Sequence, residues 1–178
     1  MGERRIVGQG RKLTYSGIFD GKELYRLIKG QLGDIGYDNW VEKEHSEKHT
    51  KTHKQVEITY LPWIKISDYI QLQIRIDITY KNLKDITVDY KGKKLKTQEG
   101  DLELFFRGYL VTDYEGNWEK KESKYSILKS VSNYFFIRTI MDKFIFKTYY
   151  SKYEKLVNDQ IKDVYNNVRE YLNTTKHR

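Results

Sequence analysis

Apolar and polar residues alternate strictly through the middle of the chain. Every second residue from position 70 to position 80 is large and apolar, and the residues between them are polar or charged. Successive side chains of a β-strand point to opposite faces of the sheet, so this pattern predicts a strand with one face in a core and the other in water. The same period predicts strands over residues 11–19, 85–90 and 102–110, with turns at residues 91–92 and 99–100. Gly108, on the apolar side of the last strand, predicts a bulge or a close approach by another element.

Residues 37–61 show the same alternation on both sides of a polar centre, which predicts a hairpin centred near His49 and ended by Pro62. The set expected to face the core is Trp40, Val56, Ile58 and Tyr60. The set expected to face water is Lys43, His45, His53, Glu57 and Thr59.

Two parts of the chain have helical signals. Asp20 and Glu23 form a capping box, and Phe19 is placed to pack on Leu24, so a helix is expected to begin there and to end at the glycines 33 and 36. Near the C-terminus the apolar period changes to 3.6 residues. It predicts an aromatic helix over residues 127–145, a break at residues 149–152, and a cleaner amphipathic helix over residues 153–172.

These elements predict an α+β fold in which a curved antiparallel sheet of about six strands, a β-α-β meander, packs on a long C-terminal helix, with an extra aromatic helix before it. No repeat or linker divides the sequence, so residues 1–178 are expected to form a single domain. Residues 1–10 and 174–178 are expected to be flexible tails.

The order of strand, helix, meander and long C-terminal helix resembles the helix-grip arrangement of the START and Bet v 1-like superfamily. The resemblance covers residues 11–173 and carries no family motif. The chain departs from it in having one helix between the first two strands and an added aromatic helix. It implies a sheet that curls around the last helix and an apolar ligand held between them, without assigning ligand-contacting residues.

Composition narrows the classes of function. The chain has no cysteine, which excludes disulfides and thiolate metal sites and fits a reducing compartment. Neither a secretory signal nor an apolar stretch long enough to span a bilayer is present in it. We therefore expect a cytoplasmic protein without a cofactor. The aromatic helix is interpreted as packing on the sheet, rather than on a membrane surface, with its lysines in solvent.

A formal net charge of +8 favours anionic partners. The basic residues concentrate in one predicted hairpin and near the aromatic helix, at Lys81, Lys84, Lys91, Lys93, Lys94, Lys96, Lys120 and Lys121. Nucleic-acid or ribosome association through these lysines is therefore an alternative function, although no RNA-binding or DNA-binding motif accompanies them.

Candidate chemistry is sparse. His45, His49 and His53 recur every four residues, but that spacing on one strand separates side chains by about 13 Å, which is too far for one metal ion. Only a pairing of His45 with His53 across the hairpin is compatible with metal, and we predict a solvated loop instead. No catalytic motif is present, and Asp77 has no partner at a diagnostic spacing, so an enzyme with a pocket carboxylate ranks third.

The sequence-based prediction is a non-enzymatic binding module of helix-grip type. It would engage an apolar or aromatic small ligand, or a partner protein, between the sheet and the C-terminal helix. The oligomeric state is left open. The residues predicted to line the site are Trp40, Trp63, Ile74, Phe106, Tyr134, Val157 and Ile161.

Overall fold

A computed structural model describes residues 3–49, 54–67, 70–90, 93–112 and 147–176 of the chain. Six strands and two helices follow one another in these residues: β1 Glu3–Phe19, α1 Gly21–Asp34, β2 Glu42–His49, β3 Lys54–Tyr60, β4 Trp63–Lys65, β5 Ile70–Tyr90, β6 Lys93–Thr112 and α2 Lys147–Lys176. The predicted α+β class, with about six strands and a long C-terminal helix, is confirmed. The predicted aromatic helix lies outside the described residues.

The strands form one antiparallel sheet in the order β1-β6-β5-β3-β2, and β4 also pairs with β5. β3 and β4 lie one after the other along β5, because Tyr60 is opposite Ile76 and Trp63 is opposite Gln73. Among the described strands, β1 and β2 are the two edges, so the sheet is open.

β5 and β6 are longer than the pattern predicted. The predicted turn at residues 99–100 is wrong, since Glu99 and Gly100 lie inside β6. The physical reason is a bulge in β5 between Lys81 and Lys84, where Asn82 has a φ of 54°. A Cβ at Gly100 would lie 2.8 Å from the carbonyl oxygen of Lys81, so glycine here allows a close backbone approach and does not reverse the chain.

Both ends of the fold also extend beyond the predicted elements. β1 begins at Glu3 and pairs with β6 from that residue, although residues 1–10 were expected to form a tail. α2 is continuous from Lys147 to Lys176, so the predicted break at residues 149–152 is wrong and the helix includes residues 174–176. Neither α1 nor α2 is long and apolar enough to cross a membrane, and no other helix is described.

The two helices divide one face of the sheet, which we call the inner face. The predicted inward residues of β5, from Ile70 to Tyr80 at every second position, are all buried on it. α2 packs mainly on β1 and β6 and only slightly on β5, whereas α1 faces β3 and β5. One hydrophobic core joins both halves and includes residues of both helices, namely Leu24, Ile28, Leu32, Val157, Ile161, Val164, Val168 and Leu172.

Gly108 lies at the centre of the half covered by α2. On the sheet it pairs with Val7 of β1 and Ile74 of β5. A Cβ at this position would overlap Cγ1 of Val157 on α2 and would lie 3.2 Å from Cγ2 of Val7. The predicted close approach by another element is therefore confirmed, and the element is α2.

α1 is held at both ends by side chains of its neighbours. The carboxylate of Asp20 accepts hydrogen bonds from the backbone N–H groups of Lys22 and Glu23, at 2.8 and 3.1 Å, which confirms the predicted helix start. The hydroxyl of Tyr171 on α2 lies 3.0 Å from a carboxylate oxygen of Glu23 and donates to it. Beyond the other end, the hydroxyl of Tyr37 donates to Gln160 at 3.0 Å. α2 thus fixes the position of α1 above the sheet.

Candidate ligand-binding site

An open cavity of about 420 Å³ lies between the first turns of α1 and the strands β3 and β5; we call it the α1 cavity. Its walls come from both layers and from one residue of β6. The lining residues are Gly21, Lys22, Tyr25, Arg26, Lys54, Val56, Ile58, Tyr60, Ile78, Tyr80, Leu83 and Gln98. The cavity exists because α2 covers β1 and β6 but leaves the other half of the inner face to α1.

The floor of the α1 cavity is apolar because inward positions of paired strands meet there. Ile58 is opposite Ile78, and Val56 is opposite Tyr80, in the register of β3 with β5. Leu83 extends this floor beyond the bulge in β5 and is buried. Aliphatic and aromatic side chains therefore form a continuous surface under α1.

The rings of Tyr25 and Tyr60 line one side of the cavity, and the ring of Trp40 packs against both. The ring of Tyr60 is 5.2 Å from that of Tyr25 and 5.4 Å from that of Trp40, and the rings of Tyr25 and Trp40 meet edge to face at 5.9 Å. Such contacts stabilise the arrangement by about 0.5–1.5 kcal/mol per pair. They join α1 to β3 and keep this side of the cavity in place.

The hydroxyls of Tyr60 and Tyr80 are neutral over the ordinary pH range, because the pKa of each is raised. Burial, with the nearby carboxylate of Glu42, raises the pKa of Tyr60 to about 12. Burial also raises the pKa of Tyr80, with smaller contributions from Tyr60 and Asp20. Both phenols thus remain protonated and can donate hydrogen bonds.

The rim of the α1 cavity is basic and polar. Lys22 and Arg26 project from successive turns of α1, and Lys54 begins β3. Lys54 forms an ion pair with Glu47 of β2. Gln98 of β6 donates to the carboxylate of Asp85 at 3.1 Å. The rim therefore combines two cations on a helix with hydrogen-bonding groups on the sheet.

The structure places the predicted ligand-lining residues mostly elsewhere. Ile74, Phe106, Val157 and Ile161 are at most 2% exposed and pack together between the sheet and α2. Trp40 packs against the cavity-lining residues Tyr25 and Tyr60, Trp63 lies half-buried in β4, and Tyr134 is outside the described residues. Of the predicted residues that the structure describes, none is in the lining of the α1 cavity.

The alternating apolar pattern of the sequence predicts the inward direction of most cavity-lining side chains of the strands, but it does not predict a ligand site there. Val56, Ile58, Tyr60, Ile78 and Tyr80 were all predicted to face inward. Alternation identifies a face but does not tell which helix lies over which strands. The sequence therefore did not predict that α2 lies over β1 and β6 and leaves β3 and β5 to α1.

A second cavity of about 300 Å³ lies between β1 and α2. Its lining is more polar than that of the α1 cavity and includes Lys12, Tyr15, Tyr165 and Arg169. Lys12 lies 3.5 Å from the carboxylate of Glu103, so part of its positive charge is already compensated.

The predicted basic surface is partly neutralised where the structure describes it. Lys81 donates to Glu103 at 2.9 Å. Lys84 is opposite Glu99 and Lys94 is opposite Asp89 in the pairing of β5 with β6. Lys96 is exposed opposite Thr87, and Lys93 pairs with Tyr90 at the end of the hairpin. Lys91, Lys120 and Lys121 lie outside the described residues.

His45 lies exposed on the edge strand β2, and Asp77 lies half-buried on the interior strand β5. The Nδ1 atom of His45 on β2 is 3.2 Å from Glu42, and its Nε2 atom is 3.9 Å from Glu47. His53 is outside the described residues, and within the described ranges no group of three potential ligands is placed to hold a metal ion. Asp77 accepts hydrogen bonds from Thr59 at 2.7 Å and from Arg75 at 2.8 Å. Thr59 is buried, contrary to the prediction that it faces water.

Comparison with known proteins adds only a weak likeness of fold. No protein-family model matches the chain, and no curated protein matches it. A solved structure of norcoclaurine synthase from Thalictrum flavum, in complex with dopamine and hydroxybenzaldehyde, is similar at 4% identity and a TM-score of 0.20, over 74% of this chain and 84% of that chain. An uncharacterized protein from Rhizobium leguminosarum is similar at 5% identity and a TM-score of 0.18, over 67% and 88%. At these scores neither likeness supports a statement about binding or catalysis.

Proposed function

We propose that the chain is a non-enzymatic binding module that holds a small apolar or aromatic ligand in the α1 cavity. The observation that carries the proposal is an open cavity with a mainly apolar lining between α1 and the sheet, beside a closed core under the centre of α2. The helix-grip hypothesis is kept, but the binding position moves from the layer under α2 to the layer under α1.

The size and chemistry of the cavity support this proposal. Small-molecule sites are typically clefts of about 300–1,000 Å³ with mainly apolar walls and a few polar groups that orient the ligand. The α1 cavity has a volume of about 420 Å³, an aliphatic and aromatic floor, and polar groups restricted to its rim. A ligand that covers this apolar surface gains about 25 cal/mol of binding free energy for each Å² that it removes from water.

The layer under α2 offers only the smaller and more polar cavity beside β1, and its centre is closed. Val157 and Val168 of α2 have no exposed surface, and Gly108 is required where α2 approaches β6. Core side chains are close-packed, and an inserted group would displace them at a cost of about 1–3 kcal/mol or more. A ligand therefore binds more favourably under α1 than under α2.

The proposal is tested with a neutral fluorescent probe, N-phenylnaphthylamine, whose emission rises when it leaves water. We expect the wild-type protein to bind it and Ile58→Trp to weaken binding by at least about tenfold, because the indole occupies the cavity. The control is Leu156→Trp, at an α2 position that is 40% exposed. It should bind the probe as the wild type does.

Circular dichroism of both variants checks that they are folded. Equal affinity of wild type and Ile58→Trp would show that the probe binds elsewhere. Absence of probe binding by the wild-type protein would also overturn the proposal.

A further inference from the structure

The charge around the α1 cavity indicates the class of ligand. We propose that the natural ligand is an anionic amphiphile, an apolar or aromatic body bearing one carboxylate or similar acidic group, with that group held between Lys22 and Arg26. This inference rests on the proposed function of the same cavity. It adds the sign of the ligand's charge and the residues that recognise it.

The lining is asymmetric in charge. Of the twelve lining residues that the structure describes, three are cationic, at Lys22, Arg26 and Lys54, and none is acidic. In a mixed surface with 33 basic and 25 acidic residues, both signs would be expected around a cavity of this size. An apolar floor beneath a rim of one sign matches a molecule with an apolar body and a group of the opposite charge.

Lys22 and Arg26 are the cations that remain available. Lys54 is paired with Glu47, whereas no ion pair joins Lys22 or Arg26 to any acidic side chain among the described residues. The two residues are four positions apart on α1, so their side chains lie on the same face of the helix, one turn apart. A carboxylate between them can accept hydrogen bonds from an ammonium and a guanidinium group together.

The backbone N–H groups at the N-terminus of α1 do not supply an anion site. The N–H groups of Lys22 and Glu23 already donate to Asp20. Recognition of an acidic group therefore depends on the side chains of Lys22 and Arg26. This makes the inference testable by substitutions that keep the helix cap intact.

The acidic groups close to the cavity are engaged. Asp20 caps α1, Asp85 accepts from Gln98, and Glu42 is hydrogen-bonded to the hydroxyl of Tyr60. Tyr60 and Tyr80 are protonated because burial raises the pKa of each phenol. The polar groups of the described lining are thus cationic side chains, neutral hydroxyls and the amide of Gln98, while these carboxylates lie outside the lining.

The test compares two probes that share one aromatic body. Anilinonaphthalene sulfonate carries a permanent negative charge, and N-phenylnaphthylamine lacks the sulfonate and is neutral. The wild-type protein should bind the sulfonate at least about tenfold more tightly, which corresponds to about 1.4 kcal/mol. This preference should decrease as salt is added, because the ion pairs lie at a solvent-accessible rim.

The variant Lys22→Gln/Arg26→Gln should lose most of that preference, because its affinity for the sulfonate should fall far more than its affinity for the neutral probe. The neutral probe is therefore also a check that the cavity is intact. The matched control is Lys155→Gln/Lys162→Gln, which removes the same charge from exposed positions on α2. It should keep the preference of the wild type.

The outcomes separate the inference from the function on which it rests. Equal wild-type affinity for the two probes overturns the anionic ligand and leaves the binding module standing. An equal loss of sulfonate affinity in the rim variant and the α2 control assigns the preference to net charge and also overturns the inference. If neither probe binds the wild-type protein, both proposals are wrong.

Discussion

At Gly108 a single hydrogen in place of a side chain allows α2 to approach the sheet. The glycine faces Val157 and Val7, so Gly108→Ala inserts a methyl group into space that they occupy. We expect a loss of about 1–3 kcal/mol in the free energy of unfolding, measured by urea denaturation. In Gly108→Ala/Val157→Ala the smaller residue on α2 makes room. The double variant should therefore lose at least about 1 kcal/mol less free energy of unfolding than the two single variants lose together.

Gly30→Ala is the matched control for this substitution. Gly30 lies inside α1, and a Cβ there meets no atom within 4 Å. Alanine should therefore stabilise the protein by up to about 1 kcal/mol through its higher helix propensity. Additive losses in the Gly108 and Val157 cycle would contradict the packing described between α2 and β6.

At the scale of elements, a row of charges links three strands on the outer face of the sheet. Glu103 of β6 lies 2.9 Å from the ammonium of Lys81 on β5 and 3.5 Å from that of Lys12 on β1. The hydrogen bond from Lys81, followed by the positive charge of Lys12, lowers the pKa of Glu103. Lys81→Gln should raise this pKa toward the ordinary value of about 4.3 in a carboxyl-resolved NMR titration.

The effect on stability follows from the direction of the shift. Because folding lowers the pKa of Glu103, its contribution is present above the unfolded-state pKa and disappears as the pH falls through the folded-state pKa. The stability difference between wild type and Lys81→Gln should therefore shrink below about pH 4. Lys96→Gln, at an exposed position on β6, the strand of Glu103, serves as the control. An unchanged Glu103 pKa in Lys81→Gln would refute the linkage.

A helix or strand could be predicted from the sequence where a single local signal determines it. Alternation identified the buried face of β5, and the Asp20 cap identified the start of α1. The turn predicted at Gly100 was wrong because glycine serves a turn and a close backbone approach equally well. The partner that distinguishes the two, Lys81, lies far away in the sequence.

At the scale of the whole molecule, the candidate site depends on how two helices share one face of the sheet. The sequence predicted that Ile74, Phe106, Val157 and Ile161 face inward, and they do. It also predicted inward positions for Val56 and Tyr60, without indicating that these would line the cavity. A helical period shows that α2 is amphipathic, but its lateral position on the sheet depends on side chains of several strands together.

The most direct test of the account is a methyl NMR titration of the wild-type protein with anilinonaphthalene sulfonate. Binding in the α1 cavity should shift the methyl signals of residues on its floor, which are Val56, Ile58, Ile78 and Leu83. The methyl signals of the closed core under α2 should stay in place, at Ile74, Val157 and Ile161. Shifts confined to the second set, with the first unchanged, would contradict the central claim that the ligand binds beneath α1.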